Sequence, residues 1–246
     1  MALDLEKMKA RLNGLQNKGG RGSLFWRPDD GEQTVRIVPT GDGDPFKDYF
    51  FHYNVGSAAS FICPKRNFGD DCPVCSFVST LFKKEDDDSV STAKSLMAKQ
   101  RFFSPVLVRG EEDQGVRVWG YGKTVYENLL NLVLNPDYGD ITDVDEGIDF
   151  ILHYGKPPGA SYPQTKLQPR RKSTALLESA EAIEEVLGSV PDFTKLFERK
   201  TTEEVGAYLD AYLEGPADDD DSDKEELQYG KEEKAVDKAF KELSDE

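Results

Sequence analysis

The chain has little that could carry a reaction. Of its 246 residues only two are histidine and three are cysteine. Neither a Gly-x-x-x-x-Gly-Lys-Ser/Thr phosphate loop nor a Gly-x-Ser-x-Gly nucleophile elbow occurs in it. Acid–base chemistry would fall to carboxylates that show no distinctive pattern, so an enzyme is not expected. No stretch approaches the ~18 apolar residues that a membrane span needs. The opening Met1-Ala2-Leu3-Asp4-Leu5-Glu6-Lys7 lacks the apolar core of a secretory signal. An odd cysteine count argues against a disulfide framework and for a reducing compartment. Positive charge is also scarce, with 31 Lys+Arg against 47 Asp+Glu and a formal charge of −16. Nucleic-acid-binding domains are usually basic, so an even spread of this charge would exclude one.

The spread is not even. Residues 1–177 hold 24 acidic and 23 basic side chains, residues 178–215 hold 10 and 3, and residues 216–246 hold 13 and 5. Nearly all the negative charge therefore lies in the last 69 residues. A near-neutral body followed by an acidic tail, with the unbroken run Asp218 to Asp221, has the pattern of an interaction tail. The length suits one domain of about 200 residues plus that tail.

Apolar spacing places an amphipathic helix over 3–16 (Leu5, Met8, Leu12, Leu15). It is mildly basic through Lys7, Lys9 and Arg11, and a flexible link, 17–22, follows. A functional arm and an idle terminal helix both fit it. Five strands follow from alternating or β-branched and aromatic runs: Gln33–Val38, Phe46–Val55, Phe102–Val108, Val116–Tyr121 and Ile148–Tyr154. Helices are expected at Pro73–Lys84, around Val125–Val133, over 175–188 and over 192–214, with Glu85-Asp86-Asp87-Asp88 as a polar loop. Few helices among short strands suit a small mixed barrel better than a doubly wound sheet.

All three cysteines fall within 13 residues, and Cys72-Pro73-Val74-Cys75 is a short-spaced pair that can grip one tetrahedral ion. With Cys63, and with His52 eleven positions before it, the set supplies one imidazole and three thiolates, enough for one closed structural zinc site. A redox Cys-x-x-Cys and unliganded buried thiols are the competing readings, although no βαβ context supports the former. A zinc deaminase does not fit, because Asp71 precedes Cys72 and Tyr53-Asn54 follows His52. His153 lacks companions and reads as an ordinary strand residue.

Aromatics make up 11% of the chain and many sit beside cations: Arg21 near Phe25-Trp26-Arg27, Lys65-Arg66 near Phe68, Lys99 and Arg101 beside Phe102-Phe103, Arg117 beside Trp119, and Tyr121 beside Lys123. Single-stranded nucleic acid is bound by this combination, cations following phosphates while ring faces stack on bases. Rings filling a β-rich core would leave the same trace. Arg170-Arg171-Lys172, followed by Ser173-Thr174, fits a phosphate contact or a solvated loop equally.

The order of these motifs resembles the helix-destabilising single-stranded DNA-binding proteins of T-even-type phages. The resemblance runs over about 24–214. It rests on Thr34-Val35-Arg36-Ile37-Val38-Pro39, on His52 with Cys63 and Cys72-Pro73-Val74-Cys75, on Ser95-Leu96 through Lys99-Gln100-Arg101-Phe102-Phe103 into Val106-Leu107-Val108, and on Trp119-Gly120-Tyr121-Gly122-Lys123. It implies an α+β, β-rich fold: an OB-fold core with an inserted structural zinc subdomain (about 50–90), C-terminal helices and an acidic tail. The implied divisions are an N-terminal self-association arm (1–22), a DNA-binding core (23–214) and a protein-interaction tail (215–246). Single-stranded DNA would lie between core and zinc subdomain against Arg36, Arg101, Phe102, Phe103, Trp119 and Tyr121, with Lys99, Lys123, Tyr162 and Phe68 as weaker candidates. The implied function is sequence-independent strand binding in phage replication, recombination and repair, in the cytoplasm of the infected host, with partner proteins recruited by the tail. One departure stands out: the family's basic-plus-hydroxyl run in the N-terminal arm has its nearest counterpart here at 170–174. The rival expectation is a zinc-stabilised acidic scaffold that displays its tail without binding DNA.

Overall fold

A computed structural model describes residues 24–84, 86–160 and 162–214. The expected arm helix and the acidic tail fall outside the described residues. Eight strands make one sheet: β1 (Phe25–Trp26), β2 (Gly31–Ile37), β3 (Lys47–Val55), β4 (Ala58–Ile62), β5 (Lys99–Val108), β6 (Arg117–Tyr121), β7 (Asp149–Gly155) and β8 (Gln164–Pro169). Six α-helices accompany it among the described residues: α1 (Pro64–Phe68), α2 (Pro73–Phe82), α3 (Asp87–Leu96), α4 (Lys123–Val133), α5 (Ala180–Gly188) and α6 (Thr202–Glu214). The architecture is α+β and β-rich. The sheet is open, ordered β1-β6-β5-β2-β7-β8, with β3 joined to β5 and β4 to β3.

β5 is the spine. Residues 99–103 pair antiparallel with β3, 102–106 with β6 and 106–108 with β2. Since β6 occupies the other edge, β2 and β3 follow one another along a single edge of β5, and 38–46 loops out between them. Residues 101–108 are buried without a break, as expected of a strand flanked on both edges and covered on both faces. The five strands expected from patterning match β2, β3, β5, β6 and β7 to within three residues.

The differences have local causes. The acidic run at 85–88 is not simply a loop: Asp86 caps α3, its carboxylate accepting from the Ser89 amide at 2.8 Å. Asp87 and Asp88 fill the first turn, where negative charge suits the helix dipole. β8 is polar and ends in proline, as an edge strand can be. The helices expected over 175–188 and 192–214 begin late, at Ala180 and Thr202. Before the first, the carbonyls of 174–176 are committed elsewhere.

They are held by two arginines. Arg36, on β2 and fully buried, donates from Nη1 to Asp149 Oδ1 (3.0 Å) and Thr174 Oγ1 (3.3 Å). From Nη2 it donates to the carbonyls of Asp143 (3.1 Å) and Thr174 (2.5 Å). Arg109, just past β5, grips both oxygens of the same carboxylate (2.9 and 3.1 Å) and reaches the carbonyls of Leu176 (2.6 Å) and Ala175 (3.1 Å). Burial pulls the Arg36 pKa down, and the adjacent Asp149 charge opposes that pull. Arg36 is thus an internal clamp rather than a surface cation.

Apolar side chains collect on either side of this frame. Trp26, Val35, Ile37, Phe102, Trp119, Tyr121, Leu129 and Phe150 belong to the main core. Val55, Phe61, Val74, Val78, Leu81, Leu96, Val205 and Leu209 join the β3–β4 hairpin, α2, α3 and α6 into a second lobe. The hairpin tip meets α6 at Gly56, where φ is +57° and a Cβ would lie 2.2 Å from the Tyr208 carbonyl, so only glycine fits. Asp149→Ala leaves Arg36 buried without its counter-charge and takes from partly exposed Arg109 its nearest carboxylate. A loss of about 3–5 kcal/mol in urea unfolding is expected, far more than the same substitution at exposed Asp137.

Candidate metal centre and aromatic cleft

The second lobe is organised around four side chains. His52 sits in the middle of β3. Cys63 follows β4 and caps α1, its sulfur accepting from the Arg66 amide at 3.4 Å. Cys72 precedes α2, and Pro73 opens the helix so that Cys75 turns back beside it. The four ligand atoms lie within 4.8 Å of one another. His52 Nε2 is 3.5 Å from Cys72 Sγ and 3.4 Å from Cys75 Sγ, and Cys63 Sγ is 3.4 Å from Cys75 Sγ. A tetrahedral ion with bonds of ~2.0–2.3 Å has ligand–ligand edges of about 3.5–3.8 Å, so the cluster is the right size for one.

The imidazole is already aimed. His52 Nδ1 lies 2.8 Å from the Leu96 carbonyl, and donating there leaves the Nε2 lone pair pointing at the sulfurs. Burial alone would lower the His52 pKa, but the hydrogen bonds and charge of Cys63 and Cys72 outweigh it and push it up to about 9. Hydrogen bonds with Cys72 and Cys75 draw Cys63 below the usual thiol range, and those with Cys63 and Cys72 drive Cys75 above it. Packed without a cation, these groups compete for protons. A divalent ion replaces that competition with four bonds, and its uptake releases protons. All four ligands come from the chain, as in structural sites, whereas catalytic sites keep a position open. The sequence-expected set is therefore brought together in full.

The aromatic residues divide differently. Phe102, Trp119 and Tyr121 belong to the core: Phe102 stacks on Tyr126 at 3.9 Å, and Trp119 lies 4.5 Å from Tyr121. The Tyr121 hydroxyl shares a 2.7 Å hydrogen bond with Ser104. Trp119 is only 1% exposed. Arg101 is buried on β5, and Arg36 is the clamp. Lys99 is half-buried opposite Phe51 in the ladder. Lys123 starts α4 and pairs with Glu127 at 3.4 Å. Phe68 lies on the surface under the Arg199 guanidinium, 4.7 Å from its ring centre, and Tyr162 is exposed ahead of β8. Those four do not share one surface with the rest.

A cleft does exist beside them. About 750 Å³ opens between β1, the β3–β4 hairpin, β6 and the strap 193–200 that leads into α6. Its walls carry Phe25, Trp26, Phe51, Tyr53, Phe61, Phe103 and Phe197, with Arg27, Arg117 and Lys200 among them. Phe197 is the keystone of the strap, its ring centre 4.9–5.7 Å from those of Phe25, Tyr49, Phe51 and Phe103. A smaller cavity of about 100 Å³ adjoins it, sharing Phe25, Trp26, Arg27 and Phe103 and backed by Trp119 and Tyr121. Of the sequence candidates only Phe103 lines the larger cleft, and Trp119 and Tyr121 reach it through the smaller one. Phe25-Trp26-Arg27 and Arg117 stood out in sequence as rings beside cations. Tyr53, Phe197 and Lys200 carried no local signal.

The family model described as gp32 DNA binding protein like matches residues 29–211 of the chain. No curated protein matches it. Among the described residues no helix is long and apolar enough to cross a membrane.

Removing the ion with a strong chelator is expected to expose three thiols to a disulfide reagent, and one equivalent of divalent metal should protect them again. Loss of a partner that merely orients a metal ligand already costs ~10–100-fold in metal affinity. Cys72→Ser, which removes a ligand itself, is expected to weaken retention by about 100-fold or more in a competition titration.

Proposed function

The chain belongs to the gp32-like DNA-binding protein family, and we propose that it binds single-stranded DNA without sequence choice in the aromatic cleft between the sheet and the metal lobe. The observation that carries this reading is the meeting of seven rings and three cations in one open cleft. Bases stack on ring faces whatever their identity, and guanidinium and ammonium groups follow the phosphates. Phe25 and Phe197, both half-buried, are the rings placed to take bases. Phe103 forms the floor with Trp119 and Tyr121 behind it, whereas Lys99, Lys123, Phe68 and Tyr162 lie outside the cleft lining.

Three thiolates and an imidazole favour zinc as the ion, acting as a structural brace for the lobe at about 50–90. The sheet is read as a derivative of the OB-fold, its wall thickened by that lobe. The phage resemblance supports work in replication, recombination and repair inside an infected bacterium, with strands protected and hairpins removed. It also supports self-association through 1–22 and recruitment of partner proteins by 215–246.

Titrating oligo-dT while following tryptophan fluorescence tests the proposal, because Trp26 and Trp119 border the two cavities. Saturable binding is expected, with log K falling linearly against log salt by ~0.7 for each phosphate contacted. Arg117→Gln and Lys200→Gln should each weaken binding at every sequence. Phe25→Leu should cost about 1–3 kcal/mol of affinity at every sequence. Equal affinity for duplex and single strands, or no binding at low salt, would refute the reading.

A further inference from the structure

The cleft is not basic. Its three cations are matched by Asp29, Glu111 and Glu198 on the same walls. Arg117 Nη2 lies 2.6 Å from Glu111 Oε2, and Lys200 Nζ lies 2.8 Å from Glu198 Oε2 and 3.4 Å from Glu204 Oε1. Each pair is lopsided in its exposure: Arg117 is 13% exposed and Glu111 50%, Lys200 19% and Glu198 68%. The cation is anchored in the wall and the carboxylate stands in water.

From this we infer that Glu111 and Glu198 are internal phosphate mimics, holding Arg117 and Lys200 in position in the empty cleft and giving way when a strand arrives. The inference rests on the single-strand-binding reading and adds to it a built-in gate on the same site. Exchange is cheap here for a physical reason. A carboxylate half in water holds its cation through a screened, weak ion pair and loses little when displaced, and a phosphate oxygen offers the cation an equivalent charge-assisted bond. The Arg36–Asp149 pair, 0% and 5% exposed, has the same chemistry and cannot exchange, because no path leads either charge to solvent. The gate also accounts for selectivity among anions. An isolated anion meets a balanced surface, whereas a strand brings several phosphates and stackable bases at once, and only their combined contacts outcompete both carboxylates. Ion pairing in the empty cleft further spares the long Arg117 and Lys200 side chains part of their ordering entropy on binding.

The test is a salt-dependent titration of oligo-dT with the full chain, Glu111→Gln/Glu198→Gln, and Glu184→Gln, an exposed residue of α5 outside the cleft lining. The double variant is expected to bind about three-fold tighter per site or more, the size of an exposed ion pair. Its salt dependence should be steeper, because no freed carboxylate takes up a cation to offset the counterions released. Glu184→Gln, which changes the net charge by one where the double variant changes it by two, should move affinity by less than a quarter as much as the double variant. Unchanged or weaker binding by the double variant, with the full chain binding normally, overturns the gate and leaves the DNA-binding reading intact. An equal gain from Glu184→Gln also overturns it, since the effect would then be overall charge. Failure of the full chain to bind at all overturns both.

Discussion

Asp149 is the point on which the rest of the molecule hangs. One buried carboxylate receives Arg36 from β2 and Arg109 from the end of β5, and the same guanidinium groups hold the carbonyls of Thr174, Ala175 and Leu176. The buried Arg36–Asp149 pair is tolerated because carbonyl oxygens accept from the Arg36 Nη2 donors and because partly exposed Arg109 adds a second cation to the same carboxylate. The result is directional. By pinning 174–176, the clamp sets where α5 begins and therefore the line along which the chain crosses to Phe193, Phe197 and α6. The outer wall of the cleft is built from that crossing.

The metal cluster does for the other wall what the clamp does for the first. The β3–β4 hairpin, α1 and α2 are short, and their helix starts are set by Cys63 and Cys72, which are ligands and caps or cap positions at the same time. Four bonds to one ion would bind a strand, a turn and a helix start at one point. α6 then packs onto this lobe, with Val205 and Leu209 in its core and the hairpin tip at Gly56 against Tyr208. The cleft lies between two parts tied together in different ways, one by a buried ion pair and the other by a His-Cys cluster suited to a metal ion.

Charge acts at three scales in the molecule. All but one unit of the net −16 resides beyond residue 177, the body is near neutral, and in the cleft the anchored Arg117 and Lys200 are each paired with an exposed carboxylate. A family of DNA-binding proteins thus includes a chain whose aromatic cleft is not basic by composition. On the proposed reading, aromatic area would supply attraction that net charge does not report, and the paired charges would decide which polyanion uses it.

Much of this was legible in the sequence wherever the cause was local. His52, Cys63, Cys72 and Cys75 declared themselves through rarity and spacing, because a tetrahedral ion needs those atoms and the chain has no other cysteine. β2, β3, β5, β6 and β7 followed from alternation and β-branching, since burial on one or both faces imposes that pattern. Polar β8 and the acidic start of α3 did not, as edge pairing and capping outweighed composition there. Arg36, Arg101, Trp119 and Tyr121 show the limit most clearly. Sequence marks a cation or a ring near others of its kind, but burial is decided by what packs on it from positions a hundred residues away. Arg36 became internal because Asp149 and Thr174 reach it, and Phe197 became part of the cleft because the strap returns across β3. The amino-acid sequence by itself determined the His-Cys cluster, the five patterned strands and the partition of charge. Only the tertiary structure decided which rings and cations face solvent, because that depends on contacts between segments that carry no trace of one another in their local pattern.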